Sequence, residues 1–253
     1  MKIPVDPLFD LSGRRVLITG STRGLGRAMA AAMIARGAHV IIHGRELATA
    51  QKVSTELGAA GACGFDLGRA EDIAPALADV LAAGPIDVLV NNAGLHRRGP
   101  LLELSLDDWR AVIDTNLTGA FAVARAVVPG MIERRQGKVI NICSLMSELG
   151  RPTTGNYMAA KGGLKMLTRA MTVEWARHNI QANAIGPGYF ATDLNAPLIA
   201  DAKFDAWIKA RTPAGRWGDP SELVGAVIFL ASPASNYING QLLFVDGGIT
   251  AAI

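Results

Sequence analysis

Tyr157 and Lys161 stand four residues apart, so on a helix their side chains share one face. A phenol titrates near ~10 and is a poor base at neutral pH, and a cation beside it lowers that value. The pair can therefore work as an acid/base group, against the plainer reading of a polar helix face. A second cluster is Thr19-Gly20-Ser21-Thr22-Arg23-Gly24-Leu25-Gly26. Gly20 suits a sharp turn, Gly24 lets backbone approach a pyrophosphate, and Gly26 lets a helix pack close on a strand. A helix N-terminus just beyond favours the phosphate charge. The spacing is not the literal GxGxxG, and such a turn can also be purely structural.

Further on, where an acid would bind a ribose 2′-hydroxyl, the chain reads Ile42-His43-Gly44-Arg45. Arg45 and Arg23 are placed to meet a 2′-phosphate, which the planar guanidinium fork suits. That predicts NADP rather than NAD; two solvated arginines would predict no preference. Asp66, with Leu67 beside it, either accepts a hydrogen bond from an adenine amino group or caps a helix.

These residues need a scaffold, and the apolar pattern supplies one. Short apolar runs predict strands at 14–19, 39–42, 62–65, 86–90, 138–143, 181–185 and 242–245. Helical composition fills 24–36, closed by Gly37, and then 46–57, 70–83, 106–131, 156–176 and 221–230, with a helical excursion at 193–210. Strands alternating with helices imply a parallel sheet covered on both faces. The expected fold is α/β, a single-domain doubly wound Rossmann fold with a seven-stranded parallel sheet. The dinucleotide half spans about 1–140 and the catalytic and substrate half about 141–253. In this frame the glycine turn follows the first strand and precedes a helix, which favours a dinucleotide site.

Composition agrees. The chain has 253 residues, 50% hydrophobic and 19% charged, which excludes a disordered chain. Glycine is frequent, at 28 residues. The net charge is +3 and the basic residues cluster only in pairs, so no nucleic-acid stripe is expected. Cys63 and Cys143 have no partner spacing for zinc or a disulfide framework and read as buried thiols. No signal peptide is expected, because Pro4, Asp6, Pro7 and Asp10 interrupt the start. The uncharged stretch 225–245 carries Pro233, Asn236, Asn239, Gly240 and Gln241, a poor membrane span, so the expectation is cytoplasmic. His39, His43, His96 and His178 read as surface or satisfied histidines, though His96 borders the expected site. Met29, Met33, Met166 and Met171 read as packing.

Four more features complete a pattern. Asn91-Asn92-Ala93-Gly94 ends the fourth strand, Ser144 follows the fifth, Tyr157 and Lys161 come thirteen and seventeen residues later, and Pro187-Gly188 with Thr192 follows the sixth. Together with the glycine turn, and in this order over essentially the whole chain, they resemble the short-chain dehydrogenase/reductase family. The resemblance implies hydride transfer between a nicotinamide and a carbinol or ketone. It implies Tyr157 as general acid/base, Lys161 as its cation and ribose contact, and Ser144 on the substrate oxygen. Asn116, in Asn116-Leu117-Thr118-Gly119, is implied to hold a relay water, against a structural amide within a helix. Asn92, Ala93 and Gly94 are implied to line the cofactor, and Pro187, Gly188 and Thr192 to meet its carboxamide.

The substrate-side loops, Arg97-Arg98-Gly99-Pro100, 146–151, 186–189 and 212–218, are similar to those of family members acting on sugar acids. The implied reaction interconverts D-gluconate and 5-keto-D-gluconate. Arginine is the bidentate partner for a carboxylate, and Arg97, Arg98 and Arg151 are the candidates; Glu148 and Asn156 are candidates for hydroxyls. Each can equally be a surface residue. The alternatives are another keto substrate, namely a 3-ketoacyl carrier, a polyol or another sugar acid, and a non-catalytic dinucleotide sensor, for which a broken catalytic set is expected. A homotetramer is implied, with the helices at 106–131 and 156–176 in one interface and the C-terminal 249–253 in another.

Overall fold

The computed structural model describes residues 6–252. Seven strands, β1 (Arg15–Ile18), β2 (His39–Gly44), β3 (Gly61–Gly64), β4 (Val88–Asn91), β5 (Gly137–Ile142), β6 (Ile180–Pro187) and β7 (Leu242–Val245), form one sheet in the order β3-β2-β1-β4-β5-β6-β7. Every neighbouring pair is parallel. The chain leaves β1 toward one edge and returns at β4 to build toward the other. A crevice opens between β1 and β4 at their carboxyl ends, the place where such sheets bind ligands.

The inner strands β1, β4 and β5 are buried on both faces, and β1 and β4 read as apolar runs for that reason. Successive side chains point to opposite faces. Val16 and Ile18 therefore enter one core with Met29 and Met33 of α1 (Gly24–Ile34) and Val227 and Ile228 of α9 (Val224–Ala231). Leu17 enters the other, with Ile73 and Leu77 of α3 (Ala70–Ala82) and Val123, Val127 and Met131 of α5 (Gly119–Arg134). Leu17 is fully buried at the sheet centre. Leu17→Ala is expected to lower the unfolding free energy by about 2–5 kcal/mol. A urea titration checks it, and an unmoved midpoint would contradict a tightly packed second core.

Two expected elements are subdivided. The helix expected at 106–131 is α4 (Leu106–Ile113), a π-helical turn Asp114–Thr118, and α5. Among the described residues, Leu106–Arg134 is the one helical run long and apolar enough to cross a membrane by length and composition. Its apolar residues have a partner here, since Val123, Val127 and Met131 pack on Leu89 and Val139 of the sheet. The excursion at 193–210 is two helices, α7 (Ala196–Ala200) and α8 (Ala202–Arg211). Asp201 separates them, and its carboxylate accepts from the Lys203 and Phe204 N–H groups to start α8 afresh. Between these, α2 (Leu47–Leu57) follows β2 and α6 (Gly155–Trp175) follows β5.

Candidate active site

The turn between β1 and α1 is held from below. The Gly20 N–H donates to Nδ1 of His43 at 2.9 Å, and Nε2 of the same ring lies 3.1 Å from the Phe65 carbonyl. Because Nδ1 accepts, the proton sits on Nε2 and donates to Phe65. Burial pushes His43 down to about 4, so the ring stays neutral, as this tautomer requires. Asn92 Nδ2 donates to the carbonyls of Thr19 (2.8 Å) and Gly20 (3.0 Å). Thr19 Oγ1 in turn accepts from the N–H groups of Asn92 (2.9 Å) and Ala93 (3.1 Å). Gly20 has φ +64°, and a Cβ there would sit 2.8 Å from the Ala93 Cα. At Gly26 a Cβ would meet the Gly20 carbonyl at 2.3 Å, so α1 and β1 approach closely only through glycine.

Gly24 is different. Its φ is +54°, and a Cβ there would meet nothing nearer than the Thr192 Cβ at 4.0 Å. Backbone is left clear between the turn and the segment after β6, a gap that fits a pyrophosphate at the N-terminus of α1. Arg23 and Arg45 are exposed, one at the start of α1 and the other just beyond β2, where a 2′-phosphate would lie. Thr22 packs over Gly44 at the end of β2. The donor set therefore fits a phosphorylated dinucleotide.

Four residues on this side have partners in the protein itself, and one expectation, a helix cap at Asp66, is corrected. The Ser21 side chain is fully buried; its hydroxyl donates to the Ile18 carbonyl (2.7 Å) and accepts from the His43 N–H (3.0 Å), so it shapes the turn. Asp66 does not cap α3, whose N-cap is Arg69; its carboxylate accepts from the Gly68 N–H at 2.9 Å. The Leu67 side chain enters the second core against Gly119, which leaves only its backbone near the crevice. Leu25 likewise packs on the first core.

Across the crevice, α6 places Tyr157 and Lys161 one turn apart. Lys161 is 3% exposed, and its Nζ donates to the Ile142 carbonyl at 2.6 Å and lies 5.7 Å from the Tyr157 ring centre. Burial pushes Lys161 down to about 8. It pushes Tyr157 up to about 12, with the Ser144 hydroxyl pulling the other way. The expected lowering of the phenol is thus not found in the protein by itself, because desolvation outweighs its neighbours. Ser144 Oγ accepts from the Met146 N–H (3.1 Å), so its own proton is directed elsewhere. Gly94 separates Lys161 from Asn116: a Cβ there would lie 3.8 Å from Lys161 Nζ and 3.5 Å from Asn116 Oδ1.

Asn116 is buried in the π-helical turn, and its amide is committed at both ends to the Leu95 backbone, accepting at 2.7 Å and donating at 2.8 Å. Its side chain clamps the loop after β4, and one Nδ2 hydrogen and one Oδ1 lone pair remain without a protein partner among the described residues. After β6, Gly188 donates its N–H to the Val245 carbonyl (3.0 Å), and a Cβ would sit 2.7 Å from the Asp246 Cα. Pro187 ends β6, and half-buried Thr192 faces Gly24.

The substrate candidates separate into two groups. Arg97 pairs with Asp108 of α4. Glu148 pairs with Lys165 of α6. Asn156 is fully buried, donating to the Arg97 carbonyl (2.9 Å) and accepting from the Tyr157 N–H (2.8 Å). These three brace loop and helix, each through a partner in the protein itself. Arg98 and Arg151 form no ion pair among the described residues. Each is close enough to His96 to repel a proton from it, and Arg151 disfavours the charge on Arg98. Arg151 Nη1 donates to the Tyr189 hydroxyl (3.1 Å), and its guanidinium lies 4.4 Å from the Phe204 ring centre. These are two cations without a carboxylate partner among the described residues, both acting on the His96 ring.

Sequence reasoning did not single out Thr19, Tyr189 or Phe204. Tyr189 had a usable signal, since it follows Pro187-Gly188 at a strand C-terminus. Phe204 had none, because nothing in 193–210 shows which side of α8 meets Arg151. Cys63 and Cys143 are both free and buried, which pushes their thiols up to about 12 and about 11 and leaves them unreactive.

Residues 20–250 match a family model described as enoyl-(acyl carrier protein) reductase. The chain is similar to a 5-keto-D-gluconate 5-reductase of Escherichia coli, 49% identical over 98% of this chain and 100% of that one. It is similar to a 2-dehydro-3-deoxy-D-gluconate 5-dehydrogenase of Formosa agariphila, 48% identical over 97% of this chain and 96% of the other. Among solved structures it is similar to a gluconate 5-dehydrogenase of Burkholderia cenocepacia in complex with NADP and tartrate, with a TM-score of 0.95 and 49% identity over 98% of this chain and 99% of that one.

Proposed function

The chain belongs to the short-chain dehydrogenase/reductase family, oxidoreductases acting on CH–OH groups, and from that premise we propose that it interconverts D-gluconate and 5-keto-D-gluconate with NADP. The observation that carries the substrate is the pair of uncompensated guanidiniums, Arg98 and Arg151, which both act on His96, the ring stacked on Tyr157. When bound, the cofactor supplies or accepts hydride at C4 of its nicotinamide. The chain's own residues do the rest. Gly24 and the N–H groups opening α1 receive the pyrophosphate, Arg23 and Arg45 the 2′-phosphate, and Lys161 the nicotinamide ribose. Asp66 faces the adenine side, Asn92, Ala93 and Gly94 line the ribose side, and Pro187, Gly188 and Thr192 meet the carboxamide.

In reduction, Ser144 and Tyr157 both donate to the keto oxygen. Tyr157 then gives up its proton as the alcohol forms, and Ser144 holds the oxygen while charge builds on it. In oxidation the same groups act in reverse. Lys161 is the cation that favours the phenolate while the proton is away. Arg98 and Arg151 fix the carboxylate, which sets the distance to the carbon that reacts.

A second reading has an observation of its own, since the Formosa relative is as similar as the Escherichia coli one. Its substrate, 2-dehydro-3-deoxy-D-gluconate, also has a carboxylate and a C5 carbinol. A 3-ketoacyl carrier or a polyol gives the two arginines no carboxylate to bind. Cytoplasmic location and a homotetramer belong to the same proposal. The exposed Phe121 of α5 and Met166 and Val173 of α6 are apolar surface for such an assembly.

The arginines provide the test. Arg98→Ala is expected to raise KM for 5-keto-D-gluconate roughly tenfold or more, the scale of a lost charge-assisted contact. Arg97→Ala, which releases only Asp108, should change it far less. Equal effects of the two variants, or none, would contradict a sugar-acid substrate. Running both substrates through wild type and Arg98→Ala distinguishes gluconate from its 3-deoxy relative.

A further inference from the structure

His96 lies two residues beyond Gly94, and its ring stacks on Tyr157 with centres 4.6 Å apart and planes 16° from parallel. The loop that carries it is fixed at both ends. Leu95 is clamped by Asn116, and the Gly99 N–H donates to the Thr153 carbonyl at 3.1 Å. The imidazole is therefore held over the phenol.

Its two nitrogens differ. Nδ1 is sealed from solvent with no hydrogen-bond partner. Nε2 also makes no hydrogen bond among the described residues, but it is not sealed. A proton on Nδ1 would bury an unpaired donor on a ring that two guanidiniums already act on, whereas a bare Nδ1 leaves the proton at the open edge. The proton therefore sits on Nε2. Burial, Arg98 and Arg151 push the ring down to about 4, so it carries no charge at neutral pH. An unpaired N–H is thus presented at the open edge of a ring lying on the acid/base phenol.

We propose that His96 Nε2–H donates to the substrate hydroxyl on the carbon flanking the reacting one, on the carboxylate side, and so selects for a vicinal hydroxy-ketone. This rests on the functional reading above. A ring stacked on the phenol, with centres 4.6 Å apart, lies beside the group that handles the reacting oxygen, so its open edge suits a neighbouring substrate hydroxyl. Both Arg98 and Arg151 act on His96, which places it toward the carboxylate. On 5-keto-D-gluconate the hydroxyl in that position is the one on C4.

The test compares 5-keto-D-gluconate with its 4-deoxy analogue in wild type, His96→Phe and His96→Gln. Phenylalanine keeps the stack and removes the donor; glutamine returns a donor without the ring. The kcat/KM preference for the hydroxylated substrate should fall roughly tenfold in His96→Phe, mostly through KM, and recover in part in His96→Gln. NADPH affinity should not move. A preference unchanged in His96→Phe, or equal losses on both substrates, overturns the inference and leaves the functional reading standing. If wild type reduces neither compound, the functional reading falls and this inference with it.

Discussion

Tyr157→Phe should lower kcat for 5-keto-D-gluconate reduction by about 10²–10⁴-fold, the range for removing a positioned acid/base group. NADPH affinity should stay within about twofold, because the glycine turn and Arg45 do not touch the phenol. The substitution keeps the ring that stacks on His96 and removes only the hydroxyl. Fluorescence titration of NADPH separates the two quantities. A variant that keeps most of its turnover would remove Tyr157 from proton transfer.

The pH profile follows from the same groups. With Tyr157 pushed up to about 12, the phenol is protonated at neutral pH and is ready to act as an acid in reduction. His43 and His96, both near 4, stay neutral and contribute no step above about pH 5. Lys161, near 8, loses its charge above that pH. Reduction should therefore be flat from about pH 5 to 7.5 and fall above 8, while oxidation, which needs the phenol to accept a proton, should rise with pH. A reduction rate that climbs through pH 8–9 would contradict these assignments.

Arg45→Asp should reverse the cofactor preference. A guanidinium on a phosphate is worth about 1.5–3 kcal/mol, or roughly ten- to a hundredfold in kcat/KM. A carboxylate in its place repels the 2′-phosphate and can accept from a 2′-hydroxyl. NADPH efficiency should fall by roughly that factor and NADH efficiency should rise. The ratio of the two kcat/KM values is the readout. If it does not move, Arg45 is a solvated side chain and Arg23 alone, or neither, reads the phosphate.

The fold was legible because strands buried on both faces announce themselves as unbroken apolar runs. Val16-Leu17-Ile18 is an example; Leu242–Val245, at the sheet edge and only partly buried, is equally apolar and has the bounds expected. The π-helical turn at Asn116 was not, because its residues suit an ordinary helix and only packing against Leu95 shows the shift in register. Helical spacing put Tyr157 and Lys161 on one face of α6, while the roles given to them came with the family resemblance, since the same spacing suits a polar helix face. The substrate side was harder for a physical reason: residue type does not say whether a polar side chain points at a ligand or at its neighbours. Arg97 and Arg98 are adjacent and chemically identical, yet only Arg97 has an aspartate within reach, on a helix eleven residues on. Asn156 and Ser21 show the same point, since each hydrogen-bonds to backbone in a way residue type does not announce. His96 was seen as bordering the site, but its unpaired nitrogens exist only in three dimensions.

The most direct measurement is the initial rate of NADPH oxidation with 5-keto-D-gluconate, run beside NADH and beside an acetoacetyl thioester. Fast turnover with NADPH and the sugar acid, with little from NADH or the thioester, is the expected result. Turnover with the thioester alone would leave the fold and the Tyr157 chemistry in place and contradict both the substrate and the role given to Arg98 and Arg151.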